Sequence, residues 1–456
     1  MTFVLSPNPR RILVVGGGPC GLVSLRNLID SGQFDEVVLA ERRDDVGGVW
    51  YLEDVPKSTP PRNRPFWPSP AYPGLVGNVL SEYLSFSHHP FPAPDSKVHP
   101  YPTLAETHAY LRRFASPYIA SGQIRLSTEV LSVDELPGAR GWSVTTRDWR
   151  KGKDGEVSVE IWDAVVVATA WYDHPSWPES TPGLAEARAA GLATHAQIWY
   201  GPDGYKGKRV VVVGNANSAN DIVCQLVTVA GAPVYRSIRR QGLRRFAFLP
   251  DSRVIDVPPI TRYTVNSERK LDLQFHDGST LTDIDTVVLG TGYSAAAAPF
   301  VRVLQPPSPS TALQKLTPLT STHTVPARIP ALYQHILYAH APTLAFIGTV
   351  MSYTPFTLAD VASTWLTLVF SGQLAIPDTI EARLQGERER LAKRYAQGLK
   401  DAIVAVATKY QTLLPEWSDT EWKRREAMYE RKWVSLMATR DAELEEKQSA
   451  GSISRL

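Results

Sequence analysis

The apolar positions of this chain fall in short continuous runs, each leading through small residues into a stretch with helical spacing. Ile12-Leu13-Val14-Val15 runs into Gly16-Gly17-Gly18-Pro19-Cys20-Gly21, and Leu22 to Leu28 follows as a helix-compatible segment. A continuous, largely β-branched run predicts a strand buried on both faces, as in a parallel sheet. The pattern returns at Val210 to Val213, which leads through Gly214-Asn215-Ala216-Asn217 into a second helical stretch. Further buried strands are predicted at Glu36 to Ala40, Asp163 to Ala168, Asp285 to Leu289 and Leu344 to Gly348, with strand-like segments at Ile124 to Leu131, Gly141 to Thr146 and Val157 to Asp163. Helices are predicted at Leu104 to Phe114, where Thr103 and Glu106 can form a capping box, and at Leu358 to Phe370. From Asp378 onward the chain reads as helical and charged. There Leu384, Leu391, Tyr395, Leu399 and Ile403 form a stripe best explained by core packing. Two stretches break the pattern: the Pro- and aromatic-rich segment Val55 to Pro73, and Gln305 to Pro330, rich in Pro, Ser and Thr. Both predict loops, and both are candidates for the wall of a substrate pocket.

Composition changes this picture little. A chain of 456 residues is long enough for two or three domains, and 43% apolar with 21% charged residues argues against a disordered or coiled-coil protein. A net charge of +2 gives no reason to expect nucleic acid or an anionic membrane as partner. No apolar run is long enough to span a bilayer, and Met1 to Arg11 lacks the apolar stretch of a secretory signal. A soluble protein is therefore expected, cytoplasmic, or peroxisomal through Ser454-Arg455-Leu456, which resembles a peroxisomal import tripeptide. The two cysteines, Cys20 and Cys224, supply neither a redox dithiol nor a thiolate metal site, and no metal is expected. Both read as packing residues at the starts of helices.

The candidate chemistry lies in the two glycine turns. Gly16, Gly18 and Gly21 have G-x-G-x-x-G spacing between a strand and a helix, the context of a dinucleotide fingerprint. Gly16 suits the tight turn, Gly18 the approach of backbone N–H groups to a pyrophosphate, and Gly21 close helix–strand packing. The next strand ends at Glu41, placed to accept from a ribose hydroxyl. In the second unit Ala216 and Ala219 stand at the second and third glycine positions. Its following strand, Pro233 to Arg240, ends with Ser237, Arg239 and Arg240 and no acid. Hydroxyl and guanidinium suit a 2′-phosphate, so the second unit reads as an NADP site and the first as a site for an unphosphorylated ribose. No Ser/His/Asp or Cys/His arrangement of recognisable spacing accompanies them.

Several motifs together resemble the flavin-containing monooxygenases, a family of class B flavoprotein monooxygenases, over nearly the whole chain. They are Gly16-x-Gly18-x-x-Gly21, Glu41, Gly47-Gly48-Val49-Trp50, Tyr72-x-x-Leu75-x-x-Asn78, the His195 hinge, the Ser218 turn, Gly290-Thr291-Gly292-Tyr293, Leu332 to Ile336 and Phe346-Ile347-Gly348. The resemblance implies an α/β fold of two Rossmann-like dinucleotide-binding domains with a C-terminal helical segment. An NADP-binding domain, 196–299, would be inserted in a discontinuous FAD-binding domain, 1–195 and 300–456. It implies FAD held by Gly16, Gly17, Gly18, Pro19, Cys20, Gly21, Glu41, Gly48, Val49, Trp50, Gly77, Asn78, Val79, Thr169 and Ala170. NADPH would be held by Gly214, Asn217, Ser218, Ala219, Asn220, Asp221, Ser237 and Arg239. Asn78, whose amide can donate and accept, is the candidate catalytic residue, at the flavin–NADP contact. The implied activity has NADPH reduce FAD and the reduced flavin trap O2 as a C4a-hydroperoxide. One oxygen then passes to a soft nitrogen or sulfur of a small molecule and the other leaves as water. The partners expected are a small-molecule substrate and O2, with a homodimer as the candidate assembly.

Three positions depart from the family pattern: Ala189 replaces the hinge Phe, Ala170 the last glycine of an A-T-G triplet, and Ala216 the second NADP glycine. Trp199, four residues after His195, also fits the Baeyer–Villiger monooxygenases, although Tyr200 stands where those have Pro or Asp. Oxidation of a ketone or aldehyde is thus the alternative, and an uncoupled NADPH oxidase releasing hydrogen peroxide would share every binding motif.

Overall fold

The computed structural model describes residues 2–5, 8–53, 65–92, 100–240, 251–294, 299–305, 315–320, 328–350, 352, 354–388, 395–415, 418, 420–421, 423–425, 427–428 and 431–432. Its centre is a seven-stranded sheet in the order Leu332–Tyr333, Leu337–Tyr338, Leu344–Phe346, Ala164–Val167, Arg11–Val15, Glu36–Ala40, Ile124–Arg125. The last five of these run parallel. Ile12, Val14, Ala164, Val165 and Val166 are completely buried, which is why these strands read as continuous apolar runs rather than as an alternation.

The helix after the first glycine turn spans Pro19–Asp30 and packs against the helix Pro355–Phe370. Fifteen of that second helix's sixteen residues are buried. A helix buried on every face belongs to a core, and no helix among the described residues is long and apolar enough to cross a membrane.

The second glycine turn sits in a separate, wholly parallel five-stranded sheet, ordered Val254–Val257, Val234–Ser237, Val210–Val213, Thr286–Leu289, Ala193–His195. The two units repeat one hydrogen-bond plan. Gly16 N–H donates to Ala40 O at 2.9 Å and Ala168 N–H to Val15 O at 2.9 Å; Gly214 N–H donates to Ser237 O at 2.9 Å and Gly290 N–H to Val213 O at 2.8 Å. Each turn is thus fixed to its two neighbouring strands by the backbone alone, whatever the side chains between. Three further sheets occur among the described residues, the smallest being the antiparallel pair Thr2–Phe3 and Ile376–Pro377. Of the other two, one is a three-stranded antiparallel sheet of Ile260–Val265, Leu271–Phe275 and Thr280–Ile284, and one a five-stranded sheet from Thr128 to Pro318.

Several boundaries differ from the sequence expectation. The helix opened by the Thr103/Glu106 capping box runs on to Ala120 and carries Pro117 inside. The helix expected from Leu358 starts three residues earlier, with Pro355 at a first-turn position that needs no N–H donor. The strand expected to reach Arg240 stops at Ser237. Gln305 to Pro330 is not loop throughout: Leu316–Pro318 pairs antiparallel with Val301–Leu304. Of the C-terminal stripe, Leu399 and Ile403 are buried in the core with Phe370, while Leu391 and the tripeptide Ser454-Arg455-Leu456 lie outside the described residues.

Candidate active site

One cavity of about 980 Å³ runs along the carboxyl ends of the central parallel strands, where open α/β sheets bind ligands. It is lined by Gly16, Gly18, Pro19, Cys20, Glu41, Gly48, Val49, Trp50, Asn78, Val79, Thr169, Ala170 and Asn217. Thirteen of the residues singled out in the sequence thus share one wall, Asn217 coming from the other nucleotide unit. Gly17, Gly21, Gly77, Gly214, Ser218, Ala219, Asn220, Asp221, Ser237 and Arg239 are not on that wall.

The turn has the shape of a pyrophosphate cradle. The helix Pro19–Asp30 starts after Gly18 with no side-chain cap and no acid in its first turn, so its first N–H groups and the positive end of its dipole face the cavity without a protein anion. A Cβ on Gly21 would lie 1.8 Å from Gly16 O, and one on Gly48, at φ +57°, 2.8 Å from Gly18 Cα. These two chain segments approach as closely as backbone allows. Glu41 is buried; its carboxylate accepts from Gly17 N–H at 2.5 Å and Arg43 N–H at 2.9 Å. Two bonds leave lone pairs on a carboxylate, so it can still receive a ribose hydroxyl. The residues present therefore fit an FAD-type dinucleotide.

Arg43, which the sequence reading passed over, is buried on the same wall. It donates to Gly48 O at 2.8 Å, Tyr51 O at 3.3 Å and Pro68 O at 3.3 Å. One guanidinium thereby joins the Gly47–Trp50 segment to the proline-rich stretch. Pro68 and Pro70 line the cavity, so the end of that stretch is a wall as expected, although 54–64 lie outside the described residues. None of the described residues between 305 and 330 lines the cavity, so that second stretch is not a pocket wall over its described part. Instead His335, Ile336 and Ile347 to Val350 line the cavity; the Leu332–Ile336 and Phe346–Gly348 motifs marked the first four, and nothing in the sequence marked Thr349 and Val350.

Cys20 lies in the turn, its sulfur 2.7 Å from where a Cβ on Gly348 would stand. Burial pushes its thiol up to about 12, so desolvation outweighs the helix N-terminus and the side chain is a packing group. His195 is buried between Trp177 and Tyr293, its Nδ1 accepting from Gln197 N–H at 3.0 Å. Burial holds it down at about 4, with the Gly292 backbone opposing. It is a neutral structural histidine near neutral pH. Trp199 is buried against Tyr205 and donates to Gln225 Oε1 at 3.2 Å. Neither His195 nor Trp199 reaches the cavity.

In the second unit the helix Asn217–Leu226 starts after Ala216, again with no side-chain cap and no acid in its first turn. Ala219 in place of glycine is accommodated opposite Gly290, where an added Cβ would lie 2.8 Å from the Ala219 methyl. Ser218 and Arg239 are exposed. Ser237 is buried and its hydroxyl donates to Pro258 O at 2.8 Å. Asn220 accepts from Arg236 at 3.0 Å.

Asp221 accepts from the Tyr72 hydroxyl at 2.7 Å, which ties the second unit to the Tyr72–Asn78 block. Burial raises the Asp221 carboxyl, while Lys432 and Tyr72 act against it. Lys432, itself buried, donates to Gly77 O and, at 3.4 Å, to Val76 O, and sits 5.1 Å from the Tyr101 ring. Burial lowers its ammonium and Asp221 raises it. The residue before Asn78 is therefore held by a lysine from the C-terminal end of the chain.

This assembly, a dinucleotide-type turn on the cavity wall with Asn217 of a second such turn beside it, is that of a flavoprotein. Residues 9–243 match the family model for flavin-binding monooxygenase-like proteins, and the chain belongs to that family, whose members are flavoprotein oxidoreductases. Among its relatives are flavin-containing monooxygenase FMO GS-OX-like 2 of Arabidopsis thaliana, 29% identical over 94% of this chain and 89% of that protein, and a thiol-specific monooxygenase of Saccharomyces cerevisiae, 27% identical over 83% and 81%. The fold is also that of S-allyl-L-cysteine S-oxygenase from Allium sativum, with a TM-score of 0.67, 23% identity and coverage of 93% of this chain and 98% of that one. Cyclohexanone monooxygenase shares it at a TM-score of 0.58 with 16% identity, over 88% and 98% of the two chains.

Proposed function

We propose that this monooxygenase is NADPH- and FAD-dependent and transfers one oxygen atom of O2 to a soft nitrogen or sulfur of a small molecule. The observation that carries the reading is the one cavity that joins Gly16, Gly18, Pro19, Cys20, Glu41 and Asn78 to Asn217 of the second turn. A nicotinamide held at the second turn and a flavin held at the first would meet beside Asn78. In balance, substrate, O2, NADPH and a proton become oxygenated substrate, NADP⁺ and water.

The flavin, when bound, supplies hydride acceptance and oxygen activation, and the chain supplies binding, orientation and exclusion of water. The first-turn N–H groups after Gly18 bind pyrophosphate, and Glu41 takes the ribose. Arg43 holds Gly48 and Pro68 in place as the wall. Asn78 offers an amide donor and acceptor at the junction. Arg239, exposed just past its strand, is the candidate partner of the NADP 2′-phosphate, whereas Ser237 spends its hydroxyl on Pro258. The NADP-binding domain begins before the expected boundary at 196, because Ala193–His195 is the edge strand of its sheet and Leu184 and Ala187 pack in its core; the remaining flanking segments form the FAD-binding domain.

Sulfur is favoured by the thiol-specific relative. The Baeyer–Villiger reading rested on His195 and Trp199, and both are accounted for by packing away from the cavity. Asn78→Ala tests the assignment. It is expected to retain flavin yet to release most of the NADPH electrons as hydrogen peroxide, with product per NADPH reduced at least about tenfold. Normal product yield in that variant removes Asn78 from the chemistry.

A further inference from the structure

Between residues 72 and 80 the chain passes from one core to another. Tyr72 is buried in the core of the second unit with Trp199, Val210 and Ile222, and Leu75 packs against that core. Val79 and Leu80 belong instead to the core of the first unit, with Ile12, Leu22 and Tyr110. Asn78 stands at the crossing and lines the cavity, whereas Tyr72, Leu75 and Gly77 do not. The crossing is short and is fixed along its length. Leu75 N–H donates to Tyr72 O at 3.1 Å, Leu104 N–H to Leu75 O at 2.9 Å and Gly77 N–H to Pro102 O at 2.8 Å. At the second unit's end the Tyr72 hydroxyl donates to Asp221 at 2.7 Å. Asp221 lies four residues after Asn217 on the helix Asn217–Leu226, so the two share one face of that helix. One helical turn therefore separates the Tyr72 tie from the residue that the second unit places on the cavity wall.

We propose that Tyr72 is a positioning residue. Through Asp221 it makes the place of Asn78 follow the second unit, so that nucleotide bound at the second turn holds Asn78 in its position on the cavity wall. The proposal rests on the roles given above to Asn78 and to the second turn, and adds the route between them. Packing of the Tyr72 ring is non-directional, whereas its hydroxyl bond fixes both distance and angle to the helix. A coupling of this kind is reciprocal. Bound nucleotide that fixes Asn78 must itself be held more tightly while Asn78 is fixed. A residue that only stabilises the fold makes no such link between two sites.

The test titrates the flavin-loaded enzyme with NADP⁺ and follows binding by the change in flavin absorbance. Tyr72→Phe keeps the ring and removes the hydroxyl. It is expected to retain flavin and to raise the NADP⁺ Kd at least about fivefold. In an Asn78→Ala background the same change is expected to move the Kd by less than about twofold, because the tie then has no amide to place. An unchanged Kd in Tyr72→Phe overturns the proposal. So does an equal rise in both backgrounds, which is the result a merely structural role gives. If Tyr72→Phe does not fold, hydrogen exchange of the flavin-loaded wild type decides. NADP⁺ is expected to slow exchange of the Leu75 and Gly77 amides at least about fivefold, although neither residue lines the cavity; unchanged rates overturn the proposal. A wild type whose flavin absorbance does not respond to NADP⁺ is a different result: it removes the NADP reading of the second turn and this proposal with it.

Discussion

Gly48 shows how much a single residue carries at this site. Its backbone lies at φ +57° and an added Cβ would stand 2.8 Å from Gly18 Cα, so alanine meets both a left-handed conformation costing about 1–2 kcal/mol and a backbone clash. Gly48→Ala is expected to keep the far-ultraviolet circular dichroism of the folded chain and to lose bound flavin, read as flavin absorbance per chain after desalting. His195 makes a second prediction, in pH. Its folded value of about 4 lies below the ordinary 6.5, so between those values the unfolded chain holds the extra proton. Stability must then fall as pH drops from about 6.5 toward 4. His195→Gln, which cannot titrate, is expected to shrink the difference in urea midpoint between pH 7 and pH 4.5.

At the scale of elements, the fingerprint helix is held from behind by a buried polar knot. Asp360, on the helix Pro355–Phe370, takes Arg26 at 2.8 Å, Asn27 at 3.1 Å, and the Ser87 N–H and hydroxyl at 2.7 Å each. Asp360 is 1% exposed and Arg26 7%. Removing one member of such a pair leaves the other charge buried without compensation, which costs about 3–5 kcal/mol. Asp360→Ala is therefore expected to lower the denaturation midpoint strongly, and to loosen flavin binding because the fingerprint helix loses its backing. An Asp360→Ala protein with an unchanged midpoint would show that the knot contributes no net stability. The knot unites segments more than 300 residues apart, and nothing in the local pattern around Arg26 or Asp360 announces it.

At the scale of the whole molecule, the C-terminal end returns to the Tyr72–Asn78 block. Lys432 holds Gly77 O and Val76 O and faces Asp221, which in turn holds Tyr72. One cluster therefore joins the C-terminal segment, the block that carries Asn78 and the helix of the second nucleotide unit. Lys432→Met is expected to raise hydrogen peroxide released per NADPH severalfold while flavin stays bound. Lys432→Arg should restore part of the coupling, because a guanidinium can still donate to the two carbonyls. Unchanged coupling in Lys432→Met would confine the cluster to a stabilising role, worth about 1–3 kcal/mol for the acceptors left unpaired.

By itself the sequence determined the parallel strands that carry the two turns, the turns and their order, but not the strands Val254–Val257, Ile260–Val265, Leu271–Phe275, Thr280–Ile284 and Val301–Leu304. Continuous apolar runs, glycines at fixed spacing and a terminal acid at Glu41 are local consequences of buried parallel strands and close backbone approach, and such causes leave their mark within about thirty residues. It also marked the lining residues Gly16, Gly18 to Cys20, Gly48 to Trp50, and Asn78. What only the tertiary structure decided is which distant groups meet: Asn217 entering the flavin cavity, Arg43 bracing its wall, Ser237 turning inward to Pro258, Asp221 bound to Tyr72, and Lys432 arriving from the far end of the chain. Hydrogen bonds and charge pairs between residues hundreds of positions apart impose no period on the chain. Their partners become visible only once the strands have stacked and closed the space between them.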